Sequence, residues 1–495
     1  MKKKQIFLTG AGGTMGNAAL KELLKPERSA KHDIVILDLP SERSLKRLKP
    51  FENTPGLEIV WGDLTNYDDV LKCVSGADYV LHAAALISPA ADHNPELAWK
   101  VNLGSVENIL RAIKAQPDPN AVKLVTIGTV AATGDRLPPI HVGRTGDPLK
   151  PSIFDMYACS KIAAERLVAE SGLKYWVSLR QTYITYPDMV LEPIMFHQPL
   201  NTCLEICTEY NAGVVFANVL ADDIPGDFWR RFYNIGGGPR ARITYLELLK
   251  KVFAQSGKDY REIFDRNWFT LRNFHCHWYE DSLVLNKYLQ HQVEGIDEYL
   301  EIQAKSLSAI QKLAARLSSA AVMKNRVFDP LARDHIDSPL YWVKNNMDMR
   351  ISAFYKSKEA FENIPAWDID MPEEPAWFNY TRLDHGYDES KPSEELDLED
   401  MRSAAEFRGG LCLSQQMAAG DLYTKITWKC AFEHQFDASP NLVLKGGHWC
   451  PECVPQSWNF DEEAKRNPFL AQVFYPNHGR DENNYYPEDC WKDIL

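Results

Sequence analysis

The stretch that most constrains this chain is Thr9-Gly10-Ala11-Gly12-Gly13-Thr14-Met15-Gly16, which follows the apolar run Ile6-Phe7-Leu8 and opens a helical stretch over 17–24. Glycines at 10, 13 and 16 allow a tight turn and a close approach of backbone to a pyrophosphate. The helix N-terminus behind them offers free N–H groups and a positive dipole end. Three lysines at 2–4 imitate the start of a signal peptide, but the turn follows at once, so the apolar run reads as a first strand. The next segments keep the same rhythm. Over residues 4–255, short apolar runs at 5–9, 34–37, 58–61, 79–83, 123–127 and 175–179 alternate with helical stretches, the pattern of a parallel sheet wrapped by helices.

The second strand ends at Asp38, 22 residues beyond Gly16. A carboxylate there can bind both ribose hydroxyls of an adenosine and repels a 2′-phosphate, so NAD is expected over NADP, with Arg43 nearby as the one opposing charge. Gly10, Gly12, Gly13, Thr14, Met15 and Gly16 are the expected cofactor cradle, with Asp63-Leu64 as an adenine contact and Ala83 and Ala84 flanking it. The fold expected is α/β: a Rossmann-type doubly wound parallel sheet over 1–255, a mainly helical extension over 256–385, an acidic linker over 386–410 and a small C-terminal zinc-binding module over 411–495. In the extension, Ile296, Leu300, Leu307, Ile310, Leu313 and Leu317 recur at spacings of 3, 4 and 7, which predicts one helix with a packing face. The acidic run 388–400 predicts exposure.

Tyr157 and Lys161 stand four residues apart on one face of a predicted helix running to about Ser171. A phenol with a pKa near 10 is a poor base at neutral pH; a neighbouring ammonium favours the phenolate. The strand just upstream ends at Gly128-Thr129, whose hydroxyl can hold a substrate oxygen beside Tyr157.

These residues carry a resemblance. TGAGGTMG at 9–16, Asp38, HAAA at 82–85, Tyr157/Lys161 and YNIGGG at 233–238 occur in the order of the extended short-chain dehydrogenase/reductase family, the NAD-dependent epimerase/dehydratase group. The resemblance covers about residues 4–255. It implies that Tyr157 is the acid/base, that Lys161 lowers its pKa and holds the nicotinamide ribose, that Thr129 takes the family's Ser/Thr role and that Asn102 is a support residue. His82 falls near the family's cofactor position but reads as a satisfied core histidine. The chain departs from sugar-nucleotide 4,6-dehydratases in having Thr129-Val130-Ala131 where they carry an Asp-Glu pair, so dehydration is set aside. Residues 186–222 contain no Arg or Lys, unlike the substrate half that grips a diphosphate in nucleotide-sugar epimerases, which leaves Arg180 and Arg144 for that task.

In the tail, Cys430-x3-His434 and Cys450-Pro-Glu-Cys453 form two close pairs. Three thiolates and an imidazole fit a closed, tetrahedral, structural Zn2+ site, and the pattern resembles a zinc ribbon over about 427–455. His448 and His478 are alternative nitrogen ligands. Cys412 and Cys490 read as ordinary cysteines, and His275-Cys276-His277 as packing residues.

The leading expectation is an NAD-dependent oxidoreductase interconverting a secondary alcohol and a ketone. The alternatives are an NAD-dependent epimerase of a sugar-like substrate and a non-catalytic NAD-sensing scaffold. A formal charge of −13 and the lack of a basic stripe argue against nucleic acid, and no apolar run is long enough for a membrane span. Ten scattered cysteines suit a reduced cytoplasm. A small-molecule alcohol or ketone is the expected partner, and a homodimer is allowed.

Overall fold

A computed structural model describes residues 3–187, 191–308, 317–369, 375–453 and 458–494. The expected alternation is present as a seven-stranded, all-parallel sheet. Its strands are β1 (Lys4–Thr9), β2 (His32–Asp38), β3 (Leu57–Trp61), β4 (Tyr79–His82), β5 (Lys123–Thr129), β6 (Trp176–Gln181) and β7 (Arg231–Ile235). Their spatial order is β7-β6-β5-β4-β1-β2-β3. The order reverses between β1 and β4, and at such a switch point a crevice opens beyond the carboxyl ends of the strands. Register puts Thr9, Leu37 and His82 side by side at that end, with Thr126 beside His82. β7 was not among the strand candidates.

Both faces of the sheet are covered, the Rossmann-type doubly wound arrangement that the alternation predicts. Helices α1 (Thr14–Leu23), α5 (Glu209–Asn218) and α6 (Ser282–Leu289) pack on one side, where Ile6, Leu8, Val177, Phe216 and Leu285 are buried together. Helices α2 (Tyr67–Val74), α3 (Gly104–Lys114) and α4 (Met156–Ala169) pack on the other. Gly213 lets α5 cross α1 closely: a Cβ there would stand 2.7 Å from the backbone of Ala18.

The extension differs from its sequence reading. Helix α7 (Ile296–Ser306) stops at Leu307, whose backbone is extended; Leu317 is 76% exposed, and Ile310 and Leu313 lie outside the described residues. Nor is the acidic stretch an exposed linker. Asp397 caps helix α8 (Leu398–Phe407) through a capping box with Asp400, and Leu396, Met401, Ala404 and Ala405 are buried. Of the acidic side chains on this stretch, Glu389 pairs with Arg144, Asp400 with Lys391, and Asp388, Glu394, Glu395 and Glu399 are exposed, while Leu396 and Met401 turn inward.

The tail shares its core with the sheet. Strands β8 (Leu411–Cys412), β9 (Ile426–Lys429) and β10 (Gln435–Ala438) form a small antiparallel sheet. Its Trp428 and Trp449 are buried in one cluster with Val106 and Ile109 of α3 and Ile162 of α4. A second cluster joins Phe154 and Cys159 to Trp342, Phe354, Trp458 and Phe474. Among the described residues no helix is long and apolar enough to cross a membrane.

Candidate active site and metal centre

The Gly-rich turn sits at the switch point. Gly10 adopts φ +72°, and a Cβ on it would stand 2.7 Å from the amide nitrogen of Ala84. A Cβ on Gly16 would lie 2.1 Å from the carbonyl oxygen of Gly10, so only glycine lets α1 start this close to β1. The first-turn amides of α1, at Thr14, Met15 and Gly16, have no carbonyl one helical turn earlier to bond, which leaves them for an anion. Asp38 closes the far side: its carboxylate accepts from the Gly12 amide at 2.7 Å and from Ser44 Oγ at 2.8 Å. Arg43 donates to Thr14 Oγ1 at 3.2 Å, which places its charge over the same turn. Ala84 donates its amide to Thr9 Oγ1, tying the end of β4 to the turn, and Ala83 lies against Gly10. This cradle of close backbone, free amides and one carboxylate suits an adenine dinucleotide.

Asp63 and Leu64 are engaged locally. Asp63 accepts from the Thr65 amide at 2.8 Å, and the Leu64 carbonyl accepts from Asn108 Nδ2 at 2.9 Å. These bonds define a turn; the carboxylate is already in use.

Thr129 lies at the carboxyl end of β5, and Tyr157 and Lys161 lie one turn apart on α4. The Thr129 hydroxyl accepts from the Ala131 amide at 3.1 Å, and it stands close enough to Tyr157 to favour the phenolate. Asp155 caps α4 by accepting from the Ala158 amide at 2.7 Å, which fixes the helix start two residues before Tyr157. Lys161 is buried one turn on, close enough to His82 to lower that histidine further. Burial pushes the Tyr157 phenol up to about 12, and burial pulls Lys161 down to about 8 against the attraction of Glu165. A cation entering the crevice would reverse the first shift and bring the phenol toward working range.

Asn102 does not touch Tyr157 through its side chain. It lies on a π-helical turn (Trp99–Leu103), brackets Leu86 with two hydrogen bonds and donates to Ser160 Oγ, which in turn donates to the Tyr157 carbonyl. It braces the helix. His82 bonds Thr9 Oγ1 at 2.8 Å, and burial holds it neutral with a pKa of about 3.

One buried cluster escaped the sequence reading. Glu165, on the same helix, accepts from Ser178, from Arg180 and from His448. Arg180 also donates to the Gly446 carbonyl at 2.5 Å, and Arg144 is held by Glu389 and the Leu383 carbonyl. Both arginines left for a diphosphate are therefore engaged. Only the i, i+4 spacing of Lys161 and Glu165 hinted at the cluster in sequence.

In the tail, Cys430, His434, Cys450 and Cys453 gather with every ligand atom within 4.8 Å of the others. Cys430 Sγ and Cys453 Sγ are 3.9 Å apart, and His434 Nδ1 stands 3.5 Å from the sulfurs of Cys450 and of Cys453. Zinc–sulfur bonds of about 2.3 Å and a zinc–nitrogen bond of about 2.0–2.1 Å in a tetrahedron require sulfur–sulfur edges of about 3.8 Å and sulfur–nitrogen edges of about 3.5 Å. The Phe432 amide donates to Cys430 Sγ, and the Glu452 and Cys453 amides to the Cys450 sulfur, bonds that favour thiolates. The alternative ligands are elsewhere: His448 faces Glu165, and His478 stacks on Phe474. Of the His275-Cys276-His277 set, Cys276 and His277 are buried and His275 stacks on Phe274.

Fold and site together define a doubly wound, Rossmann-like α/β domain with a Gly-rich turn at its switch point. Residues 6–185 match the NAD dependent epimerase/dehydratase family, and this part of the chain is a domain of that family. UDP-glucose 4-epimerases of Rickettsia bellii and Rickettsia felis are each 32% identical over 110 residues, 22% of this chain and 32% of theirs. An uncharacterized epimerase/dehydratase of Staphylococcus aureus is 28% identical over 189 residues, 38% of this chain and 54% of its own. The chain thus spans between a third and about half the length of these relatives. Among solved structures, UDP-glucose 4-epimerase from Thermus thermophilus in complex with NAD aligns with 61% of this chain and 100% of its own at 19% identity and a TM-score of 0.46.

Proposed function

We propose that this protein is an NAD-dependent epimerase acting at a secondary carbinol of a neutral, sugar-like substrate. The observation that supports the reading is the placement of Tyr157 and Lys161 one turn apart on α4, with Thr129 at the carboxyl end of β5. The family match and the UDP-glucose 4-epimerases among the relatives support epimerisation over the net alcohol–ketone oxidoreduction that ranks first from sequence alone. Thr129 holds the carbinol oxygen. The Tyr157 phenolate takes the hydroxyl proton and later returns it to the same oxygen, so the proton count closes. The Lys161 ammonium stabilises the phenolate, and Asn102, through Ser160, keeps the helix at its angle. Bound NAD supplies a hydride acceptor that can return the hydride to the other face of the carbon. Asp38 and the first-turn amides of α1 would hold its adenosine and pyrophosphate. A neutral substrate is in keeping with a sequence that has no Arg or Lys over 186–222 and in which Arg144 and Arg180 are already paired. The tail quartet holds one structural Zn2+.

The deciding experiment incubates the full chain with NAD and a panel of neutral sugars and polyols, reading NADH absorbance and carbinol configuration by NMR. Inverted product with NADH below one equivalent of enzyme is the expected result. Stoichiometric NADH with no epimer would replace the epimerase with a dehydrogenase, and NAD binding with neither outcome across the panel would favour a sensor.

A further inference from the structure

The four residues 446–449, just before the second ligand pair, are held against α4 and β6. Gly446 gives its carbonyl to Arg180, His448 Nε2 bonds Glu165 Oε1 at 2.8 Å, and the Trp449 carbonyl accepts from Arg166 at 2.9 Å. The next residue is Cys450. Gly447, at φ +73°, lets this strap press so close that a Cβ would stand 2.0 Å from the Asp147 carbonyl. The strap's bonds to α4 fall on the adjacent residues Glu165 and Arg166, and Lys161 lies one turn earlier on the same helix. The other pair, Cys430 and His434, sits on the β9–β10 turn, closed by the Cys430 amide bonding the His434 carbonyl.

We propose that metal at the quartet is a positioning device for the acid/base pair: by joining the β9–β10 turn to Cys450 and Cys453, it locks the strap 446–449 onto the back of α4 and keeps water from Glu165 and Lys161. The proposal rests on the zinc reading of the quartet given above. Its physical basis is that the ligand Cys450 directly follows Trp449, so fixing that sulfur adds to the bonds that already seat the strap at Gly446, His448 and Trp449. A closed four-ligand site contributes folding free energy where its ligands meet. With the strap seated, the charged groups facing Lys161 are Glu165 one turn along, itself paired to Arg180, and the neutral ring of His82 on β4. With the strap released, water reaches the Glu165 carboxylate, which stands one turn from Lys161 on α4. A cavity lined by Leu103, Ile162, Arg166, His448, Trp449 and Pro451 already lies at this seam, so the strap needs to move little to admit solvent.

The test uses the full-length protein without added cofactor. Zinc content is measured by elemental analysis. The reactivity of Lys161 toward acetic anhydride is followed against pH by mass spectrometry, and NAD affinity serves as the control for an intact dinucleotide site. Zinc-loaded protein should protect Lys161. Stripping the metal, or Cys450→Ser, should raise its labelling about tenfold or more while NAD affinity stays within about threefold. His448→Ala should unprotect Lys161 with zinc retained, and His448→Gln, which can still donate to Glu165, should restore protection; a merely structural tail would not separate these two variants. If zinc binds and its removal leaves Lys161 labelling unchanged, the positioning role is overturned while the zinc reading survives. If the folded protein binds no zinc even on reconstitution, both fall.

Discussion

His448 Nε2 and Glu165 Oε1 meet at 2.8 Å across 283 residues of sequence, with both side chains buried. Glu165 also neutralises Arg180, whose side chain is 1% exposed, and these partners hold the carboxyl well below the usual carboxylate range despite its burial. Removing the charge leaves a buried guanidinium uncompensated. Glu165→Gln is therefore expected to destabilise the fold by about 3–5 kcal/mol. Urea unfolding monitored by tryptophan fluorescence measures this; a loss below about 1 kcal/mol would mean that water already compensates Arg180.

Tyr157→Phe removes one oxygen and leaves the ring. Turnover should fall by about 10²-fold or more, the scale of a positioned acid/base group, with NAD affinity nearly unchanged. Near-full activity in a folded Tyr157→Phe protein would eliminate the phenol as the proton carrier.

Asp38→Ala removes a carboxylate that also anchors the Gly12 amide and Ser44. NAD affinity should drop about tenfold or more, and discrimination against NADP should shrink because Arg43 remains. Fluorescence titration with both cofactors checks the ratio, and tighter binding of NADP by the wild type would reverse the assignment.

Asp92 accepts from the Met156 amide at 2.9 Å at the start of α4, and burial followed by the like charge of Asp155 pushes its carboxyl well above the usual range. The folded chain thus favours the protonated acid, so this group's contribution to stability is complete below about pH 4 and is lost as pH rises through the elevated folded value. Asp92→Asn abolishes that dependence. Its stability relative to wild type should improve toward alkaline pH, by at most about 1.4 kcal/mol per pH unit. Parallel curves of Tm against pH for the two proteins would contradict the elevated carboxyl.

Gly16→Ala places a methyl against the Gly10 carbonyl, which has no room to retreat. NAD binding should be lost while the far-UV spectrum is kept. Wild-type affinity in Gly16→Ala would show that the turn is slack.

Local chemistry explains what was legible in sequence. The Gly-rich turn, the Tyr157/Lys161 spacing and the two ligand pairs each need particular residue types a few positions apart; the first lies between β1 and α1, the second on one helix, and the two pairs gather at one point. What stayed hidden depends on partners far along the chain. Strand β7 carries Arg231 and Asn234 among its apolar residues, and its place beside β6 comes from pairing across more than fifty residues. The acidic stretch around Asp397 advertises solvent, but its buried face is set by Met401 and Ala404 meeting the sheet's helices. The heptad-like spacing after Ile296 says nothing of the extended backbone at Leu307. The Glu165 cluster joins three separate segments, α4, β6 and the stretch 446–448, and the i, i+4 spacing of Lys161 and Glu165 is its one local trace.

The shared core of α3, α4 and the tail also sets an order of events in the cell. At synthesis rates of roughly 5–20 residues per second, the 283 residues between Arg166 and its acceptor Trp449 occupy the ribosome for on the order of a quarter-minute to a minute. Throughout that interval the outer face of the nascent nucleotide-binding sheet waits uncovered, with Ile109 and Ile162 open to other chains. Chaperone dependence, and aggregation of any product cut short before Trp428, are built into an architecture that saves the lid of its first-made half for last.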